Sequence, residues 1–71
     1  MKICAPFAGI VHFKVAVGDT VTTGQELASV EAVKLESPVF APGPGVVTAL
    51  LLDDFADCVG GDALIDLGEA R

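Results

Sequence analysis

The chain reads as two similar halves. Ala5-Pro6-Phe7-Ala8-Gly9-Ile10-Val11 is matched position for position by Ala41-Pro42-Gly43-Pro44-Gly45-Val46-Val47. Further on, Gly24-Gln25-Glu26-Leu27 is matched by Gly61-Asp62-Ala63-Leu64. The offset rises by one residue between the two matches, as a single insertion in a turn would produce. A repeat of this length cannot bury its apolar residues alone and needs its copy. It therefore predicts one domain over residues 1–71 with approximate two-fold symmetry, a flattened β-barrel or sandwich. The second copy is degraded, since Phe55-Ala56 stands where the first has Gly18-Asp19.

Within each half the periodicity is that of strands. Gly9 to Val15 places Val11, Phe13 and Val15 on one face and His12 and Lys14 on the other, a half-buried antiparallel strand. Val46 to Leu52 is the most apolar run. Ile3 to Ala5, Glu26 to Glu31, Leu35 to Phe40 and Ala63 to Leu67 complete the set, with Cys58-Val59 read as a short link. Val17 to Val21 and Thr22 to Gln25 read as turns around Gly18-Asp19 and Gly24. Leu27 and Ser29 oppose Ala28 and Val30, so neither face of that strand is cleanly apolar and its register is open. Turn signals recur about every eight to ten residues and no helical period appears, which is the pattern of an all-β domain.

Several function classes are excluded by composition. Ten acids against four bases give a net charge of −6, which argues against nucleic acid and against an anionic membrane surface. The longest apolar run is strand-length, too short to cross a bilayer as a helix. His12 is the single histidine, without the clustered ligands a metal needs. No Ser/His/Asp or Cys/His set is present, so a non-catalytic component is expected. Cys4 and Cys58 lie in no paired motif and read as small buried hydrophobes, though a disulfide between them stays open. Unpaired thiols and the absence of a signal-like start suggest a reducing cytoplasm.

Between the halves lies Glu31-Ala32-Val33-Lys34-Leu35-Glu36. Strand-like flanks place Lys34 at a hairpin tip. A lysine there is ordinarily a solvated turn residue, but its position on the symmetry centre sets it apart. The stretch resembles the Glu-Ala-Met-Lys-Met signature of biotinyl domains, the carboxyl carriers of biotin-dependent carboxylases. Ala5-Pro6-Phe7-Ala8-Gly9, Val17-Gly18-Asp19-Thr20-Val21 and Gly24-Gln25-Glu26-Leu27 are similar to that family's other motifs, so the resemblance covers the chain. It implies two four-stranded antiparallel sheets. It also implies that a biotin protein ligase attaches biotin to Lys34, with Glu31, Ala32, Val33 and Leu35 as the surrounding recognition residues. The domain then carries a carboxyl group between a biotin carboxylase and a carboxyltransferase, as in an acetyl-CoA carboxylase of fatty acid biosynthesis. The domain is expected to be monomeric in isolation; the acyl acceptor, and the choice between a free-standing subunit and an excised domain, stay open.

Two alternatives accompany this reading. Lipoyl domains of 2-oxo acid dehydrogenase-type complexes resemble the chain more distantly, and usually carry Asp-Lys-Ala where Val33-Lys34-Leu35 stands. A structural module of the same fold with an unused lysine is the other, although its long helical insertion is missing. Val33 departs from the usual Met. In a two-residue I′ turn both Val33 and Lys34 need φ > 0, which costs a β-branched residue on the order of 1–2 kcal/mol, so the turn is either strained or opens into a different type. Glu31 and Glu36 are read either by the ligase or as solvated charges that keep the hairpin soluble. Asp53, Asp54 and Asp57 are expected to do only the latter. Val15-Ala16-Val17 leaves no room for the thumb segment that some biotin carriers insert.

Overall fold

The computed structural model describes residues 1–69. Its strands are β1 (Lys2–Cys4), β2 (Gly9–Phe13), β3 (Thr20–Val21), β4 (Glu26–Glu31), β5 (Glu36–Phe40), β6 (Gly45–Leu50), β7 (Asp57–Cys58) and β8 (Ala63–Gly68). One four-stranded sheet has the order β1-β8-β6-β3 and the other β5-β4-β2-β7, all antiparallel. Advancing every strand by four places converts one order into the other, the exchange that the repeat predicts. The two sheets face each other as a sandwich and do not close into a barrel. Thr20-Val21, read as part of a turn, forms the short edge strand β3. β2 stops at Phe13 and β6 at Leu50, short of the expected Val15 and Leu52.

The repeated motifs are latches between the halves. Ala5 N–H donates to Asp62 O at 2.8 Å, and its counterpart Ala41 N–H donates to Gln25 O at 2.9 Å. Gly61 N–H returns to Ala5 O and Gly24 N–H to Ala41 O, at 2.9 and 2.8 Å. Both glycines sit at positive φ, 90° and 81°, where a Cβ is penalised. Val11, Val21, Leu27, Val30, Val47, Leu64 and Ile65 fill the space between the sheets and are fully buried.

β4 lacks a clean face because it is bulged. Between Glu26↔Phe40 and Ala28↔Val39 the extra residue is Leu27. The bulge turns Leu27 inward beside Ala28, and both are buried with Val30, while Ser29 lies on the outer face with its register partner His12 and is covered there. Leu64 is the extra residue in the same way between Ile3↔Ile65 and Cys4↔Ala63. The one-residue change of offset has a different location from the expected turn. Val47 pairs with Leu67 and Ala49 with Asp66, leaving Thr48 unmatched. β2 and β4 are regular at the equivalent place, so Thr48 is the insertion, absorbed in a strand. Its Oγ1 donates to Asp66 O at 2.9 Å.

The degraded turn keeps its shape despite its sequence. Phe55 occupies the place of Gly18, with φ of 64° against 96°. Phe55 N–H donates to Val11 O at 2.7 Å as Gly18 N–H does to Val47 O at 2.8 Å. A left-handed non-glycine residue costs roughly 1–2 kcal/mol. The Phe55 ring stacks on His12 with centroids 4.7 Å apart, which offsets about 0.5–1.5 kcal/mol of that. Phe55→Gly is therefore expected to be more stable than Phe55→Ala by about 1 kcal/mol, the reverse of the usual order. Denaturant midpoints for the pair test this, and Ala equal to or above Gly would remove the strain.

β5 leads away from the central hairpin to Phe40, and residues 41–44 carry the chain into β6, whose Val46 pairs with Gly68. Met1 N–H donates to Leu67 O at 2.7 Å at that same end. The hairpin and Met1 thus lie at opposite ends of a body 38 Å long.

Candidate functional site

β4 and β5, in regular register from Ala28↔Val39 to Glu31↔Glu36, position the tip. Glu31 of β4 pairs with Glu36 of β5, and beyond them Ala32 and Leu35 close the hairpin. Ala32 N–H donates to Leu35 O at 2.7 Å, and Leu35 N–H returns to Ala32 O at 3.4 Å. Val33 and Lys34 are left as the two tip residues. Phe55 is the non-glycine residue with positive φ among those described, so Val33 and Lys34 both have negative φ. Of the two outcomes open for this hairpin, a strained I′ turn or a different turn type, the second is found, and the strain at Val33 goes with the first. An unprimed turn fits strand twist less well, consistent with the long second bond. Val33→Met is accordingly expected to leave the denaturant midpoint unchanged; a gain of about 1–2 kcal/mol would reveal strain after all.

Lys34 is exposed, and Val33 and Leu35 beside it are 99% and 62% exposed. Among the described residues, neither ion pair nor side-chain hydrogen bond engages Lys34. An amine free of partners and raised on a two-residue turn is open to a modifying enzyme or a reaction partner. The flanking acids form a row. Glu36 pairs with Glu31, Glu31 with Ile10, and Ile10 with Asp57, all at the hairpin end of one sheet. Like charges opposite one another destabilise a sheet, so Glu31 and Glu36 give little back to the fold.

Lower on that sheet a second cluster forms that the sequence reading missed. Asp54 Oδ1 accepts from Phe13 N–H at 3.0 Å and lies 3.0 Å from His12 Nδ1. The Phe13 N–H, aided by His12, holds the Asp54 carboxyl below its ordinary value. Asp54 is therefore a structural acceptor rather than a bare solubilising charge. Its side chain supplies the acceptor for Phe13 beyond the two-residue β7. Cys58 is buried as expected; Cys4, expected to be buried, points outward from β1 and is exposed, and both are free thiols. β1 is an edge strand whose alternation turns Ile3 inward and Cys4 out.

A family model described as "Biotin-requiring enzyme", the biotin/lipoyl model, matches residues 1–67. The chain belongs to this family. Within it, a biotin-dependent acyl-coenzyme A carboxylase alpha3 subunit of Mycobacterium leprae is 35% identical over 92% of this chain. A glycine cleavage system H protein of Shewanella frigidimarina is 44% identical over 70% of it. The chain spans 11% and 40% of the lengths of those two relatives. Among solved structures, a single-chain, multi-domain long-chain acyl-CoA carboxylase superposes with a TM-score of 0.90. That match has 22% identity over 100% of this chain and 7% of the other. It establishes the shared two-sheet fold. As a biotin/lipoyl domain the chain is a carrier module of enzyme complexes.

Proposed function

We propose that this domain carries biotin, joined as an amide to Nζ of Lys34, for a biotin-dependent carboxylase. The observation that carries the reading is the solitary, exposed amine of Lys34 at the tip, flanked by aliphatic Val33 and Leu35. The residues present fit the group. Among the described residues no side chain pairs with the amine, and the paired strands below fix the base of the hairpin. When bound, biotin supplies a ureido nitrogen that takes up and gives back a carboxyl group. The domain's part is to hold the arm at one end and to be recognised there. Glu31, Ala32, Val33 and Leu35 form the surface a biotin protein ligase reads, and a biotin carboxylase and a carboxyltransferase are the partners visited. Tethering gives the arm a high effective concentration at each. The acyl-coenzyme A carboxylase relative supports an acyl-CoA acceptor.

A lipoyl group on the same lysine is the second reading, favoured by the 44% identity to the H protein. Intact mass after co-expression with a biotin ligase, and separately with a lipoyl ligase, decides between them. A biotinyl addition alone supports the carrier of a carboxylase. A lipoyl addition alone transfers the domain to the second reading.

A further inference from the structure

The hairpin does not stand clear of the domain. A groove of about 720 Å³ runs along its base, lined by Ala8, Ile10, Glu31, Ala32, Val33 and Asp57. Small-molecule sites span roughly 300–1,000 Å³, so the groove has the right size for a two-ring group. Its floor is apolar. Ile10 remains 37% exposed although β2 is an inner strand of its sheet, and Val33 forms the wall nearest the tip. Its rim is anionic. Glu31 and Asp57 both pair in register with Ile10, one from each neighbouring strand, so a carboxylate flanks the isoleucine on either side. Among the described side-chain hydrogen bonds and ion pairs, none engages these two carboxylates, and no cationic side chain lines the groove.

We propose that this groove is a resting site, within the domain itself, for the head group carried on Lys34, and that it selects a neutral cyclic urea. The site presupposes the biotin reading of Lys34. A ureido ring offers two N–H donors and no charge, and the carboxylates of Glu31 and Asp57 are the acceptors it meets. Hydrogen bonds to a charged acceptor are stronger than neutral ones. The fused thioether ring then lies on Ile10 and Ala8, removing their exposed surface from water. A dithiolane ring has no N–H to give and leaves both carboxylates unused. An anionic head group is repelled by the same pair. Because the group is tethered one residue from Val33, even weak contacts are populated, at effective concentrations of order millimolar.

The test compares amide shifts of the ¹⁵N-labelled domain before and after biotinylation, on samples whose full loading is established by intact mass. The expected result is movement at Ala8, Ile10 and Asp57, remote in sequence from the lysine, in addition to the unavoidable changes at the tip. In loaded Asp57→Lys, which places a cation where the donors sit, the shifts at Ala8 and Ile10 should return to their unloaded values. Changes confined to residues 33–35 in a fully biotinylated sample overturn the groove and leave the carrier reading standing. A domain that takes lipoyl and refuses biotin overturns both.

Discussion

Lys34→Arg is expected to abolish covalent loading completely while leaving the domain as stable as before. Acylation requires an amine nitrogen that can lose a proton and share its lone pair. A guanidinium in a protein stays protonated and delocalises its electrons over three nitrogens, so it keeps the charge and loses the nucleophile. Stability should not respond. Lys34 is exposed and makes no polar contact among the described residues, and substitutions of that kind stay within about 0.5 kcal/mol. Lys2 and Lys14 serve as internal controls. Both are exposed, Lys2 on β1 and Lys14 just after β2, so exposure alone does not separate them from Lys34. The two-residue turn does. Intact mass of wild type and variant after co-expression with biotin ligase gives the answer, with the denaturant midpoint as the fold control. An undiminished biotinyl addition in the arginine variant would place the modification on another lysine and end the assignment of the tip.

The topology was legible because it is written twice. Ala5 and Ala41 perform the same latch, Gly24 and Gly61 the same turn, and a sandwich exchanging its sheets follows from that repetition. What stayed hidden depended on departures from regular pairing. The inward burial of adjacent Leu27 and Ala28 arises from the bulge at Leu27, which period-two counting cannot express because a bulge moves every following side chain to the other face. Turns tolerate insertion, so the repeat alone puts the extra residue of the second half in one. Thr48 shows that a strand can take it where a side-chain hydroxyl reaches the neighbouring carbonyl.

The candidate site divides in the same way. Lys34 and its hairpin were legible from local pattern and central position. The turn type was not, since alternation on the flanking strands does not determine the φ of the two residues between them. Asp54 and Asp57 looked alike as acids after a strand, yet they have separate environments. Asp54 accepts the Phe13 N–H, while Asp57 sits in register with Ile10 beside the groove. Only strand pairing between distant parts of the chain distinguishes them.

Gly9→Ala and Gly45→Ala, symmetry mates, are expected to cost similar stability and to differ in what they do to the lysine. A Cβ on Gly9 would lie 2.5 Å from Glu31 O and 2.9 Å from its carbonyl carbon. On Gly45 it would lie 2.6 Å from Gly68 O. Both obstacles are backbone atoms of the neighbouring strand and cannot rotate away, so the strands must part. Neither glycine has positive φ, so alanine is otherwise acceptable and its lower unfolded-state entropy returns about 0.4–1 kcal/mol. Overpacking of this kind costs about 1–3 kcal/mol, a large share of the roughly 4–10 kcal/mol expected for a domain this size. The consequences separate because Glu31 is the last residue of β4 before the tip, whereas Gly68 lies at the far end. Parting β2 from β4 displaces the base of the Lys34 hairpin; parting β6 from β8 does not. Both variants should show lowered denaturant midpoints, and at a temperature where each is folded only Gly9→Ala should be biotinylated more slowly than wild type. Equal rates in the two variants, with equal loss of stability, would mean that the ligase reads the tip without regard to how the sheet holds it.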